Sequence, residues 1–198
     1  MISARRKTNA SRLGSMYGVI LTVADMTLPS SDYRAAISRF LTGVTIVTTR
    51  HEGVAQGITA SAVASVTLEP PTLLVCLNRQ SGTCHAMSHS GHFCVHMLAD
   101  DQLALAQHFA SKMPDKFAKL PHAATSGSDH PGYRDSTLGN PILDGVIAYL
   151  ECRVTTHTDV GTHRIFFGEV LEVSANDGAP LAYFRGQFAS LGGGKADS

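Results

Sequence analysis

The sequence predicts a mainly β fold in which an antiparallel sheet curls into a barrel, with a few short helices at its edge. Three observations predict it. Runs rich in Val, Ile, Thr and Leu follow one another closely, and Gly or Pro punctuates them. The helical patterns between these runs are few and short, which does not suit an alternating parallel sheet.

The first element is an amphipathic helix over 31–41. Ser30, Ser31 and Asp32 offer N-cap chemistry, Tyr33, Ile37, Phe40 and Leu41 recur at helical spacing, and Gly43 ends it. Strands follow over 44–50, 54–61, 63–68 and 72–78. A capped helix over 81–90 is closed by Gly91, then come a strand over 92–98 and a helix over 101–110. Residues 118–141 turn to Pro, Gly, Ser, His and Asp, which predicts a long exposed loop, either a lid or a solvated insertion. Beyond it Val146, Ala148, Leu150, Cys152 and Val154 alternate with Ile147, Tyr149, Glu151 and Arg153, the pattern of a long strand. A turn around Asp159, Val160 and Gly161 leads to a second long strand over 164–173, and a short strand over 181–184 completes the barrel.

The chain of 198 residues is long enough for one buried core and reads as one domain over 29–191. Residues 1–28 read as a disordered extension or a misassigned start, with Met16 or Met26 as alternative starts, and 192–198 as a flexible tail. Sixteen Lys plus Arg balance sixteen Asp plus Glu, so the overall charge gives no reason to expect nucleic acid as a partner. No apolar run approaches the roughly 20 residues that a membrane helix needs. Cys76, Cys84, Cys94 and Cys152 sit in patterned apolar segments, which predicts reduced, mostly buried thiols.

Two segments carry site chemistry. Gly57-Ile58-Thr59-Ala60-Ser61-Ala62 places small side chains and two hydroxyls along one strand end, where a flat aromatic ring can approach the backbone. The same composition also makes an ordinary strand. Asn78-Arg79-Gln80-Ser81-Gly82-Thr83 leads a strand into a helix N-terminus, whose free N–H groups favour a phosphate. Ser81 and Thr83 there serve equally as plain caps. A rival reading takes His85, His89, His92, Cys94 and His96 as metal ligands, but no carboxylate or Cys-x-x-Cys pair completes the set, and no metal is expected.

Taken together, several blocks resemble the short-chain flavin reductase family, the FMN-binding split-barrel enzymes that supply reduced flavin to two-component monooxygenases. They are Phe40 to Thr49, Gly57 to Ala62, Ser65 to Pro71, Cys76 to Thr83, Phe93 to Leu98, Gln102-Leu103-Ala104, Lys116-Phe117, Leu150 to Val154 and Tyr183 to Phe188. The resemblance implies a split barrel, an NADH- or NADPH-dependent reduction of FMN or FAD, a homodimer, a partner monooxygenase and a cytoplasmic protein. It also implies that Thr59, Ala60 and Ser61 line the flavin ring and that Asn78, Arg79, Ser81 and Thr83 hold its phosphate end. Arg185 would face a cofactor phosphate, and His163 would sit near the nicotinamide. The family's Gly-Asp-His is Gly161-Thr162-His163 here, which removes a carboxylate that would orient His163. That departure keeps a second reading open, a non-catalytic module that stores or senses flavin. His96, where relatives carry asparagine, and the 118–141 segment are two further departures expected to bear on cofactor access.

Overall fold

The computed structural model describes residues 28–118, 120 and 132–191. The expectations for 1–27 and 192–198 lie outside the described residues. Helix α1 (Ser30–Ile37) leads into β1 (Thr42–Gly43), β2 (Thr45–His51), β3 (Val54–Ala60), β4 (Val63–Leu68) and β5 (Pro71–Asn78). Then come α2 (Gly82–Ser90), β6 (His92–Met97) and α3 (Leu103–Ala110). The chain continues through β7 (Tyr133–Asp135), β8 (Pro141–Leu143), β9 (Ala148–Val160), β10 (His163–Ala175), β11 (Leu181–Phe184) and β12 (Gln187–Ser190).

The main sheet has seven strands in the order β3-β2-β6-β9-β10-β5-β4, antiparallel throughout. Its two edge strands, β3 and β4, are consecutive in sequence and joined only by Ser61 and Ala62. Three Cα steps span at most about 11 Å, so both edges meet at that corner and the sheet must curl round on itself. β3 and β4 share no ladder, and the curled sheet stays open along that seam. The fold is a split barrel.

Burial follows from the curl. β5 alternates, with Leu73, Val75 and Leu77 buried, whereas β2 is buried on both faces from Thr45 to Thr49. One of its faces contributes Val47 to a core with Val75, Phe93, Val95, Cys152 and Phe166, to which α2 adds Cys84 and Met87. The other contributes Ile46 to a second core with Cys94, Phe109, Ile142 and Leu143. Helix α2 is bounded as its sequence predicts: the Cys84 N–H donates to Ser81 Oγ at 3.1 Å, and Gly91 closes the helix at φ 73°. All four cysteines are free thiols, Cys76 half-buried and the others buried. Burial raises each of their pKa values, that of Cys152 to about 12.

Several boundaries and one whole segment differ from the sequence reading. Helix α1 stops at Ile37, and Gly43 pairs with Ala182 in a small sheet instead of capping the helix. Asp159 and Val160 belong to β9, so the turn is Gly161-Thr162. The expected exposed loop is exposed only in part where it is described over 132–141: Arg134, Asp135, Thr137 and Leu138 are exposed, whereas Gly132, Asn140 and Pro141 are buried. Asn140 is fully buried, accepting from His92 Nδ1 at 2.7 Å and donating to Glu151 Oε1 at 3.1 Å. Ser136 Oγ also donates to Glu151, and the Asn140 N–H donates to Ser136 Oγ. The polar composition that reads as solvent-seeking is spent on these internal bonds and on enclosing the Glu151 carboxylate. Residues 119 and 121–131 lie outside the described residues.

His96 is also a correction. It is fully buried, so it faces no cleft and cannot bear on cofactor access directly. Its Nδ1 lies 3.0 Å from the Ile46 carbonyl, while Nε2 has no partner among the described residues. Burial pushes its pKa down to about 4, so the folded state holds it neutral. Between about pH 6.5 and 4 the unfolded chain binds a proton that the folded chain refuses, and stability falls as pH falls. We expect unfolding free energy to drop across that window by as much as about 3 kcal/mol from this group. Denaturant titrations of wild type and His96→Asn check it: the variant's pH slope should be flatter, and equal slopes would contradict the assignment.

Candidate functional site

The site begins at the seam. β3 pairs only with β2, leaving its other edge without a strand partner. Thr59 Oγ1 donates to the Ala106 carbonyl of α3 at 2.6 Å. Lys116 Nζ donates to the carbonyls of Gly57 at 3.1 Å and Phe109 at 2.6 Å, and burial lowers its pKa. These bonds clamp β3 to α3. Gly57 sets their separation, since a Cβ there would stand 2.5 Å from Phe109 Cε1. Ile58 and Ala60 turn instead toward the core that holds Val47.

Ser61 is exposed at the corner and borders three clefts. One, of about 340 Å³, is shared with Thr59, Ala60, Tyr183 and Gly186. A second, of about 740 Å³, runs past Thr42 and Ser38 to Arg34 and Arg185. The third, of about 590 Å³, is largely apolar, with Phe40, Leu68, Leu73 and Val173 in its wall.

The Asn78–Thr83 turn lies at the end of β5. The Cys76 N–H donates to the Ala62 carbonyl at 2.9 Å, which ties the corner to that strand two residues before Asn78. Ser81 Oγ caps α2 and also donates to the Asn78 carbonyl at 2.8 Å; Thr83 is buried. The N–H groups of Gly82 and Thr83 have no acceptor among the described residues. Beside them a cleft of about 540 Å³ is lined by Asn78, Arg79, His85, His89, Thr162 and Arg164, among others. Arg164 donates to Asp159 through Nε at 2.6 Å and Nη2 at 3.0 Å, and Arg79 Nε lies 3.3 Å from the same carboxylate. The Arg164 bonds hold the Asp159 carboxyl below its usual range.

Arg164 and Asp159 were not among the candidates read from the sequence. They face each other across the β9–β10 hairpin, and opposite charges equally spaced from a turn were the available signal. His163 is the exposed first residue of β10, paired in register with Asn78, and its Nδ1 shares a 2.9 Å hydrogen bond with Thr162 Oγ1. The structure thus gathers Asn78, Arg79, Ser81 and His163 at one end of the barrel, and Thr59, Ala60, Ser61 and Arg185 at the seam. The Arg79 cleft shares no lining residue with the 340 Å³ and 740 Å³ clefts at Ser61. The histidines of the metal reading are dispersed. The His85 and His89 rings lie 4.4 Å apart on α2, tilted by 49°, while His92 bonds Asn140 and Cys94 is in the core.

Residues 37–192 match the profile described as the flavin reductase like domain. The reductase component of a 4-nitrophenol 4-monooxygenase/4-nitrocatechol 2-monooxygenase from Rhodococcus opacus is 42% identical over 161 residues, covering 81% of this chain and 80% of that one. An FMN reductase (NADH) from Ancylobacter novellus is 40% identical over 164 residues, covering 81% and 84%. Among solved structures, a nitrilotriacetate monooxygenase component B from Mycobacterium thermoresistibile superposes with a TM-score of 0.74 at 33% identity, covering 85% of this chain and 92% of that one.

The clamp on β3 yields a stability test. Gly57→Ala should drive its Cβ into the Phe109 ring and cost about 1–3 kcal/mol. Thermal unfolding should show a Tm lower by several degrees, and a Tm within about a degree of wild type would mean that α3 can shift freely.

Proposed function

The chain belongs to the flavin reductase-like family, and from that premise we propose that it reduces FMN or FAD with hydride from NADH or NADPH, for use by a partner monooxygenase. The observation that carries this reading is the Ser61–Ala62 corner. It joins small side chains to a strand edge without a strand partner, one backbone hydrogen bond away from the strand that ends in Asn78. Thr59, Ala60 and Ser61 would line the flavin ring there. Asn78, Arg79, Ser81 and Thr83 would hold its phosphate end, and the free N–H groups of Gly82 and Thr83 suit a phosphate.

When bound, the two nucleotides supply the redox chemistry, a hydride passing from nicotinamide C4 to flavin N5. The chain's part is to fix distance and orientation. His163 would orient the nicotinamide through its exposed ring, with Thr162 Oγ1 as its hydrogen-bond partner where the family has an aspartate. Arg185 would meet a cofactor phosphate. Flavin must bind weakly enough to leave again, because a very tight site would trap the product. The relative named for FMN and NADH makes that the first pair to try.

A homodimer belongs to the same proposal. Leu68 is 82% and Phe40 70% exposed beside the apolar cleft, and a second copy would cover them. A cytoplasmic location accords with four free thiols. No described helix is long and apolar enough to cross a membrane.

The test is the loss of nicotinamide absorbance with NADH or NADPH, with and without FMN or FAD. Wild type should oxidise the nicotinamide only when flavin is added. His163→Ala should lower that rate roughly tenfold or more while flavin affinity is kept. An unchanged rate would leave His163 with a structural role. Flavin binding without any oxidation would replace the reductase with a storage or sensing module.

A further inference from the structure

The cleft between α1 and the β11–β12 turn brings two arginines to one surface. Arg34 lies in the last turn of α1, and the Arg185 N–H donates to the carbonyl of Ser38, the C-cap of that helix, at 2.7 Å. Both arginines line the 740 Å³ cleft that ends at Ser61, whose wall carries no Asp or Glu. Six other arginines are described, and each has a partner: Arg50, Arg79, Arg153 and Arg164 in ion pairs, Arg39 on the Ala35 carbonyl, Arg134 on Tyr149. The guanidinium groups of Arg34 and Arg185 have none among the described residues.

Arg185 is also held in an unusual backbone state. It occupies the first position of a two-residue hairpin turn at φ 52°, where Asn, Asp or Gly is the common residue, with Gly186 following at φ 80°. A long side chain is kept there at a conformational cost, and its charged end is directed to a surface that lacks a counter-charge.

We propose that Arg34 and Arg185 form the subsite for the adenosine diphosphate portion of the nicotinamide dinucleotide. This rests on the reductase reading. With a flavin ring at Thr59–Ser61 and its phosphate end toward Asn78 and Arg79, the flavin extends toward a cleft that shares no lining residue with this one. The second anionic substrate is left with the cleft on the other side of Ser61. Two guanidinium groups with free donors, lining one cleft, match a diphosphate in charge. Arg34 is thereby assigned to the binding of the hydride donor, with no part in the hydride step.

The test separates this subsite from the flavin site and from turnover. Arg34→Gln and Arg185→Gln should each raise KM for the dinucleotide roughly tenfold, the scale of one lost charge-assisted contact, with kcat and FMN affinity little changed. Reduced nicotinamide riboside carries neither phosphate of that portion, so wild type and variants should oxidise it alike. Calorimetry with ADP-ribose gives a readout without turnover: wild type should bind it, and the double variant should not. Unchanged KM and unchanged ADP-ribose affinity would overturn the assignment while leaving the reductase reading intact. Weakened FMN binding in Arg34→Gln would also overturn it, by giving the cleft to flavin. If wild type oxidises no nicotinamide with any flavin, the reductase reading falls, and arginine-dependent binding of ADP-ribose would still support the subsite.

Discussion

The architecture depends on one short connection. Ser61 and Ala62 join the two edge strands of a seven-stranded sheet, and a link of that length leaves the sheet no choice but to curl. The right-handed twist of antiparallel strands favours the same curvature. Because β3 and β4 meet only at this corner and share no ladder, the curl produces a seam, and clefts open beside it. The strand edge that most folds must hide here borders the clefts at Ser61.

The curl also determines where polar groups are buried. β2, β6 and β9 have apolar cores on both sides, so Glu151 and His96 fall inside the protein although each lies on a strand face that alternation alone would leave open. The two groups are accommodated differently. Glu151 accepts from Ser136 and Asn140, both at Oε1, so its buried carboxyl has hydrogen-bond donors. His96 stays neutral, one ring nitrogen bonded to the Ile46 carbonyl and the other without a partner. The β7–β8 hairpin supplies the Glu151 donors, so its packing against the barrel and the enclosure of that carboxylate are one event.

Much of this was legible in the sequence where the cause is local. Ser81 and Gly91 bound α2 because capping is a matter of a few consecutive residues, and β4 is read to the residue between Ala62 and Glu69. Legibility fails where the cause is a neighbouring layer. Phe40 and Leu41 continue the apolar pattern of α1, yet the helix ends before them and they stand exposed. The residues around Asn140 look like solvent-facing loop because composition cannot show that their polar groups bond one another. β12 is short and half exposed, and no periodicity announces it. At the site, the hydroxyl and glycine segments were visible. The shared cleft of Arg34 and Arg185 was not, because it arises from the distant return of the β11–β12 turn to α1.

The buried thiols bear on chemical durability. Thiolates, not thiols, react with oxidants, and with a pKa near 12 the Cys152 sulfur is ionised in roughly one molecule in a hundred thousand at neutral pH. Cys94 is shifted in the same direction by burial and by the nearby Glu151 carboxylate, Cys84 by burial foremost. Even half-buried Cys76 is raised. For Cys84, Cys94 and Cys152, burial and the raised pKa act together against the reactive thiolate, so these three side chains serve the barrel foremost as small packing residues.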